Sequence, residues 1–560
     1  MSILPDVDIA IVGGGVGGVY TAWRLLTSSL ASTRLADWKS ARGKLKVALY
    51  EGSDRIGGRL LSARSPHMPD TTAEIGGMRY VYPDQKLMTG LVETELKLPW
   101  HLQTVDQAGS IAYLRGRQLR MSDLGDPKSL PYYFDANETT WLEGKGHSPA
   151  GLIGAALTRL MPDLEKELNA GKLREYLATI TIDSLPLWQH GFWNLLAKGM
   201  SPDGYTAARA LVGYDCLGGN TNALDLTAEY FDFTPDVKYR MVDSGYETVP
   251  WNLQQRFQQA GGELHFGHWL DAFQGIGLPD GSLGVQLRFR NQTSQTARAI
   301  VLAMPRRSIE LLKPTGEVLD PENTHFRQLL ASVSPIPLFK AFLLYPNCWW
   351  QAKNVDRGRS LTDLPIRQCY YWPSGSGGNT VPKANERGLV MVYDDLLNVS
   401  FWEGLDRRGE VHKAGLPVDM HVRHNWLHFQ SAPASAPSAA DPLAQRLLDN
   451  WNGHPATPQM VNELHRELML MHEIKDAPAP IDAAFMDWSR DPYGGGVHLW
   501  NVSAQSDVVL RKMTQPVENF PCYVCGEAYS TNQTWAEGAL QTAEIVLQDR
   551  FGLSKPGWLP

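Results

Sequence analysis

The stretch DIAIVGGGVGG at residues 8–18 constrains this chain more than any other. Residues 9–12 are four apolar residues in a row, the pattern of a short strand buried in a parallel sheet. Gly13, Gly15 and Gly18 follow in the spacing G-x-G-x-x-G, and residues 19–26 continue without Gly or Pro, as a helix does. A strand, a tight turn and a helix in this order aim the helix N-terminus at a pyrophosphate. Gly13 permits the turn. Gly15, with Val16 beside it, lets the backbone approach the phosphates, and Gly18 lets helix and strand close up. Alone the motif is a weak signal, because glycine-rich turns are common.

The second strand strengthens it. Residues 45–50 alternate in polarity and end on Glu51, an acidic position suited to accept hydrogen bonds from an adenosine ribose. Glu51 stands 33 residues beyond Gly18, where about 20 is usual. The polar segment 27–44 is therefore expected to add a surface helix or loop. The run at 51–59, EGSDRIGGR, resembles the E-x5-G-G-R run of the flavin-containing amine oxidase family. The resemblance implies FAD as cofactor, with Gly52, Gly58 and Arg59 close to its pyrophosphate.

At residues 71–80 a single arginine, Arg79, follows a Gly-Gly pair in an otherwise apolar run. A guanidinium fork matches a carboxylate through two parallel hydrogen bonds. The run Glu74-Ile75-Gly76-Gly77-Met78-Arg79 resembles the corresponding stretch in the L-amino acid oxidase branch of the family. There the arginine holds the substrate α-carboxylate, and Gly76, Gly77 and Met78 run along the cofactor. Oxidases of amines without a carboxylate generally lack this arginine.

Composition bounds the remaining readings. The 560 residues suffice for several domains with large cores, and 43% apolar with 20% charged residues suits a globular protein. A net charge of −8 argues against nucleic acid or an anionic membrane as main partner. No run of 18 apolar residues marks a transmembrane helix. The first residues carry no basic signal region, and the five cysteines are an odd, low count, so a cytoplasmic location is expected. Cys522 and Cys525 are spaced C-x-x-C without a second pair for zinc; they read as strand residues, and no metal site is expected. Neither a Ser-His-Asp nucleophile nor a P-loop is found.

The expected fold is α/β: a discontinuous Rossmann-like FAD-binding domain, a mixed-sheet substrate domain and an inserted helical domain. Residues 1–90, 236–330 and 482–560 are assigned to the FAD-binding domain, 91–130 and 331–481 to the substrate domain, and 131–235 to the helices. Trp188, Trp193, Tyr214 and Tyr230 of the helical part are candidates to line a pocket, against the ordinary alternative of core aromatics. Residues 240–250 resemble the family's stretch before a helix, and 299–305 its strand ending in a proline near the flavin. A loop is expected at 374–379, and a low-complexity surface loop at 431–440.

Further site residues come from the resemblance. Lys340 sits in an apolar strand, unusual for lysine; in the family a lysine here bonds a water facing flavin N5. Tyr371 resembles the tyrosine that adds a second bond to the substrate carboxylate, with Tyr370 its rival, since a strand puts neighbours on opposite faces. Residues 488–496 resemble the family's W-x-x-D-P-Y-x-x-G stretch, and no cysteine stands nearby, so FAD is expected to be noncovalent. Gly526 and Glu527 resemble a strand end reaching the cofactor; a buried Glu there needs hydrogen-bond donors, expected from glycine-rich backbone. Thr534-Trp535 replaces the family's Gly-Trp pair, in which the backbone carbonyl accepts from the substrate amine and the indole walls the pocket. Asp215, Asp394 and Asp395 are candidates for a cationic side chain.

The function implied is FAD-dependent oxidative deamination of an L-amino acid, with O2 as electron acceptor and 2-oxo acid, ammonia and hydrogen peroxide as products. The alternatives are an amino acid 2-monooxygenase, a mono- or polyamine oxidase, and a noncatalytic FAD-binding protein. A homodimer is the expected assembly.

Overall fold

The structure is a computed structural model. It describes residues 4–31, 33–145, 149–215, 220–231, 238–373, 383, 385–406 and 441–559. The loops expected at 374–379 and 431–440, and Cys216, lie outside the described residues.

Two large sheets carry the molecule. In the first, the all-buried strand Val7–Val12 runs parallel to Val47–Tyr50 on one side and to Ser294–Leu302 on the other. Glu263–His265 extends the parallel edge beside Val47–Tyr50. The long strand Ser294–Leu302 divides its far side. Its first half pairs antiparallel with Leu283–Phe289, which pairs with Leu270–Gly277; its second half takes Cys522–Val524 in parallel. Segments far apart in sequence thus meet in one sheet.

The glycine turn shows why its residues are small. Gly13 has φ +107°, a region other residues rarely adopt. A Cβ on Gly18 would stand 1.9 Å from the Gly13 carbonyl oxygen. The helix Val16–Thr27 can therefore start directly behind the strand, and it packs between the helices Thr248–Gln259 and Ala536–Ile545. Segment 27–44 adds one short helix, Leu35–Arg42, stopped at Gly43 with φ +81°. This accounts for the long interval before Glu51.

The second sheet runs in the order Asp482–Asp487, Leu338–Tyr345, Gly388–Asp395, Gln368–Pro373, Gly358–Thr362, Ile111–Leu114, Arg117–Arg120. Here the sequence-based boundary at 482 needs correction. Asp482–Asp487 pairs with Leu338–Tyr345, so the chain leaves the substrate sheet only after it.

Between these parts lie, among the described residues, seven α-helices within residues 136–231. Pro202–Val212 illustrates their punctuation. Ser201 caps it by accepting from Gly204 N, Pro202 fits the first turn, and Gly213 stops it at φ +82°. Tyr214 falls just beyond the stop. A small three-stranded sheet, Tyr80–Tyr82, Lys238–Val242 and Trp100–Leu102, adjoins the site and carries part of it. Among the described residues no helix is long and apolar enough to cross a membrane.

Candidate active site

A cavity of about 480 Å³ runs between the two sheets. Gly13, Gly15, Val16, Glu51, Gly52, Gly58, Arg59, Gly76, Gly77, Met78, Arg79, Lys340, Gly526, Glu527, Thr534 and Trp535 all line it. Two predicted residues do not. Gly18 lies in the helix-to-strand contact described above. Tyr371 points the other way.

The cavity is built to hold an anion at its glycine end. The helix Val16–Thr27 has no side-chain cap and no acidic residue in its first turn, and a Cβ on its N-cap, Gly15, would meet nothing within 4 Å. Its first N–H groups are thus available to a phosphate in open space. The Glu51 carboxylate is held by Gly14 N at 2.6 Å and by Ser53 N and Oγ at 2.8 and 2.7 Å. Beside it His268, Trp269 and Arg290 form a wall, with Arg290 over the Trp269 ring at 5.4 Å. These residues fit a dinucleotide: a pyrophosphate at the helix end and an adenosine ribose at Glu51.

Half-buried Arg59 and buried Glu527 form an ion pair at 2.9 Å. Glu527 also receives His498 N at 2.8 Å, His498 Nδ1 at 3.0 Å and Thr534 N at 3.0 Å. Burial would raise this carboxyl, but Arg59 and His498 outweigh it and hold it at about 2. Its donors are thus Arg59, His498 and the Thr534 backbone, rather than the glycine-rich backbone expected from sequence.

The other end of the cavity is aromatic and cationic. Arg79 is 9% exposed and donates to Gln103 Oε1 at 3.0 Å. Its guanidinium lies 4.0 Å from the centre of the Tyr239 ring. Among the described residues Arg79 makes no ion pair. Lys340 Nζ, also buried, donates to the carbonyls of Glu74 at 3.2 Å and Gly76 at 2.5 Å and sits 4.7 Å over the Tyr393 ring. Burial pushes this amine down to about 7; the charge of Glu74 opposes the fall and that of Arg79 adds to it. Burial also pushes the Glu74 carboxyl up to about 8, against hydrogen bonds from Ser62 Oγ and Tyr246 N.

Tyr371 needs correction. Its hydroxyl lies 2.6 Å from His472 Nε2 and 2.8 Å from Ser360 Oγ, in the core behind the substrate sheet. Tyr370, one residue earlier, takes the opposite face by strand alternation. It belongs to the buried cluster that also holds Leu338, Phe342 and Met391, acts electrostatically on Arg79, and is not among the lining residues of the cavity. Its hydroxyl is buried without a hydrogen-bond partner among the described residues.

Thr534 has φ +71°, the left-handed region, which a β-branched residue seldom adopts. Its hydroxyl donates to Glu229 Oε1 at 3.1 Å. Of the four aromatics considered from sequence, Tyr214 and Tyr230 line the cavity; Trp193 is buried in the helical core, and Trp188 is not among the lining residues. Asp215, Asp394 and Asp395 do not line it either. Asp215 pairs with Arg209 and Arg367, Asp395 accepts from Asp215 N, and Asp394 accepts from Trp402 Nε1. Sequence reasoning missed Gln103, Glu229, Tyr239, Tyr393 and His498. Tyr393 faces Lys340 across paired strands, a register that no local sequence pattern carries.

The model of the flavin containing amine oxidoreductases matches residues 16–411. This chain belongs to that family. As a member it is a flavin-dependent oxidoreductase acting on a small molecule with O2 as co-substrate. Among its relatives, Aplysianin-A of Aplysia kurodai is 26% identical, covering 97% of this chain and 90% of that protein. L-amino-acid oxidase 4 of Hebeloma cylindrosporum is 20% identical, covering 99% of this chain and 83% of that protein. A solved structure of putrescine oxidase bound to putrescine shares the fold with a TM-score of 0.58 at 16% identity, covering 97% of this chain and 98% of that one.

None of the four described cysteines, Cys348, Cys369, Cys522 and Cys525, lines the cavity. All four are free and buried, so Cys522 and Cys525 form no disulfide; burial pushes the Cys525 thiol up to about 12.

Proposed function

We propose that this flavoenzyme oxidises L-amino acids at the α-carbon, with noncovalently held FAD. The observation that carries the reading is Arg79: a buried guanidinium at the cavity wall whose hydrogen bond goes to a neutral amide. A buried charge without an opposite charge is costly. A carboxylate entering the cavity would neutralise it and engage the fork in two bonds. An amine without a carboxylate would leave the cost in place.

The chain's own residues then divide the work. Arg79 and the unpartnered hydroxyl of Tyr370 bind the carboxylate, in place of the pair Arg79 and Tyr371 expected from sequence. The Thr534 carbonyl receives the amine, and Trp535, Tyr214, Tyr230 and Tyr393 keep water from it. FAD, when bound along the glycine end, supplies the two-electron acceptor. A hydride leaves a carbon beside a neutral amine far more readily than beside an ammonium, so the amine must first give up a proton. Positioning supplies much of the rate. Water then converts the imine to a 2-oxo acid and ammonia, and O2 takes two electrons and two protons to become hydrogen peroxide. Lys340 stands at the cavity to assist that last transfer.

The test is a substrate panel. L-amino acids, their D-enantiomers and the matching decarboxylated amines are mixed anaerobically with the yellow protein. Bleaching by L-amino acids, with 2-oxo acid and peroxide formed on admitting air, is the expected result. Bleaching by amines alone would replace the reading with amine oxidase, and an amide product with a monooxygenase. Acid precipitation should leave the yellow colour in the supernatant.

A further inference from the structure

Two arginines on the small three-stranded sheet form a natural control. Arg240, 8% exposed, lies in Lys238–Val242 and is sandwiched over Tyr82 at 3.7 Å and Trp100 at 3.9 Å. Its charge is closed by Glu93 at 2.5 Å. Arg79 immediately precedes Tyr80–Tyr82, is as deeply buried, and lies over Tyr239 at 4.0 Å. Its partner is not a carboxylate but the amide of Gln103.

Gln103 is held firmly enough to matter. It follows the strand Trp100–Leu102, and its backbone N–H donates to the Tyr239 carbonyl at 2.9 Å. One sheet therefore delivers the arginine, the ring beneath it and the amide beside it. A guanidinium has donors only, so the amide must turn its oxygen toward Arg79. Its Nε2 then faces Met78 Sδ at 4.0 Å, a weak acceptor on the cavity wall.

We infer that Gln103 is a specificity-determining positioning residue: it aims the Arg79 fork without neutralising it, and so reserves the site for substrates that bring their own carboxylate. The inference rests on the reading of Arg79 as the carboxylate anchor. Glutamate has nearly the same shape as glutamine, but at this position it would close the charge as Glu93 closes Arg240. A substrate carboxylate would then be the second anion on one guanidinium, and like-charge juxtaposition is strongly unfavourable. An amine would meet a cavity already neutral.

The experiment compares Gln103→Glu with Gln103→Met, which keeps the length but supplies neither charge nor amide. In Gln103→Glu, kcat/KM for L-amino acids should fall roughly 100-fold, mainly through KM. The matching amines should be unaffected or improved, so the amino acid to amine ratio falls at least as far. Gln103→Met, which removes the aiming amide but adds no charge, should lower kcat/KM for L-amino acids by a smaller factor, about tenfold, and leave the amines unchanged. A readout without turnover is the perturbation of the bound flavin's absorbance by the 2-oxo acid product, whose binding should weaken to a similar degree in Gln103→Glu only. Equal ratios in wild type and Gln103→Glu, or a Gln103→Met ratio shifted as far as that of the glutamate variant, would overturn the inference. If Gln103→Glu does not fold with normal flavin content, the Gln103→Met ratio decides: a partial fall through the amino acids alone supports, an unchanged ratio refutes. A wild-type protein inactive on amino acids but active on amines would instead defeat the functional reading itself.

Discussion

The two ends of the cavity treat buried charge in opposite ways. At the cofactor end, Arg59 is closed by Glu527, and Glu527 in turn by His498 and backbone N–H groups. At the substrate end, Arg79 and Lys340 are both cradled by neutral oxygens, one side-chain amide and two backbone carbonyls. The same residue type thus does two jobs. A closed arginine holds segments together, here residues 51–59 and the strand end after Cys522–Val524. An open one waits for a ligand's charge. The difference sets the proposed substrate end apart from the cofactor end.

The largest effect should come from breaking the closed pair. Removing one partner of a fully buried ion pair costs about 3–5 kcal/mol; Arg59 is half-buried and Glu527 keeps His498, so the cost here lies toward the lower end. Arg59→Ala should therefore lower Tm sharply and shed flavin, measured by thermal scans and by the 450-nm absorbance retained on gel filtration. The pair also carries a pH signature. The Glu527 carboxyl is held at about 2, below its ordinary 4.5. Its contribution to stability is full above pH 4.5 and drains away as pH falls through about 2. Glu527→Gln should remove that part of the acid sensitivity. An Arg59→Ala protein that keeps both Tm and flavin would erase the contrast between the two ends.

Arg79→Ala should do the reverse: leave Tm and flavin content near wild type and damage turnover. Losing a desolvated, paired carboxylate contact costs roughly 2–5 kcal/mol, about 30-fold to several thousand-fold in kcat/KM. Lysine should rescue poorly, because a point charge cannot reproduce the fork. The loss should be confined to amino acids, with amines little changed. Flavin loss in place of activity loss would move Arg79 to the closed class.

Lys340 sharpens the comparison by its titration. With its amine near 7, it is cationic below that pH and neutral above it. If its charge assists O2 reduction, reoxidation in stopped flow should slow as pH rises through about 7. Lys340→Met should be slow at every pH, with flavin reduction by substrate less affected. A wild-type profile retained by the methionine variant would leave Lys340 a structural residue.

The two tyrosines show how much of this was legible in the sequence. Gly13, Gly15, Glu51, Arg59, Arg79, Lys340 and Glu527 were all findable, because each follows a local pattern and lands on the cavity wall. The Tyr370 and Tyr371 choice was not. It turns on which face of Gln368–Pro373 points inward, and that is set by the packing of His472 and Trp350 from distant segments. Gln103, Tyr239 and Glu229 were invisible for the same reason: their roles come from pairings across separate segments. Tyr370→Phe should cost amino acid kcat/KM about tenfold, the worth of one hydrogen bond to a charged group. Tyr371→Phe should leave kinetics alone and lower stability by about 1 kcal/mol. The opposite pattern would restore the sequence-based choice.

The smallest effect belongs to Thr534→Gly. Holding a side-chain-bearing residue in the left-handed region costs about 1–2 kcal/mol, and Thr534 is there at φ +71°. Glycine removes that strain but loses the hydrogen bond to Glu229, worth about 0.5–1.5 kcal/mol. It also gains freedom in the unfolded chain, worth about 0.5–1 kcal/mol. The three terms nearly cancel, so stability should change by less than about 1 kcal/mol. The backbone carbonyl proposed to receive the substrate amine remains, so the core chemistry should persist. What changes is space: without its methyl and hydroxyl, position 534 no longer narrows the cavity beside Trp535. The variant should therefore favour bulkier amino acids over small ones by a few-fold in kcat/KM, about the worth of one methyl group in a pocket. A uniform loss across all substrates, with flavin retained, would mean that the Thr534 hydroxyl and Glu229 act on the amine itself. The substrate end would then hold a working carboxylate as well as its open cations.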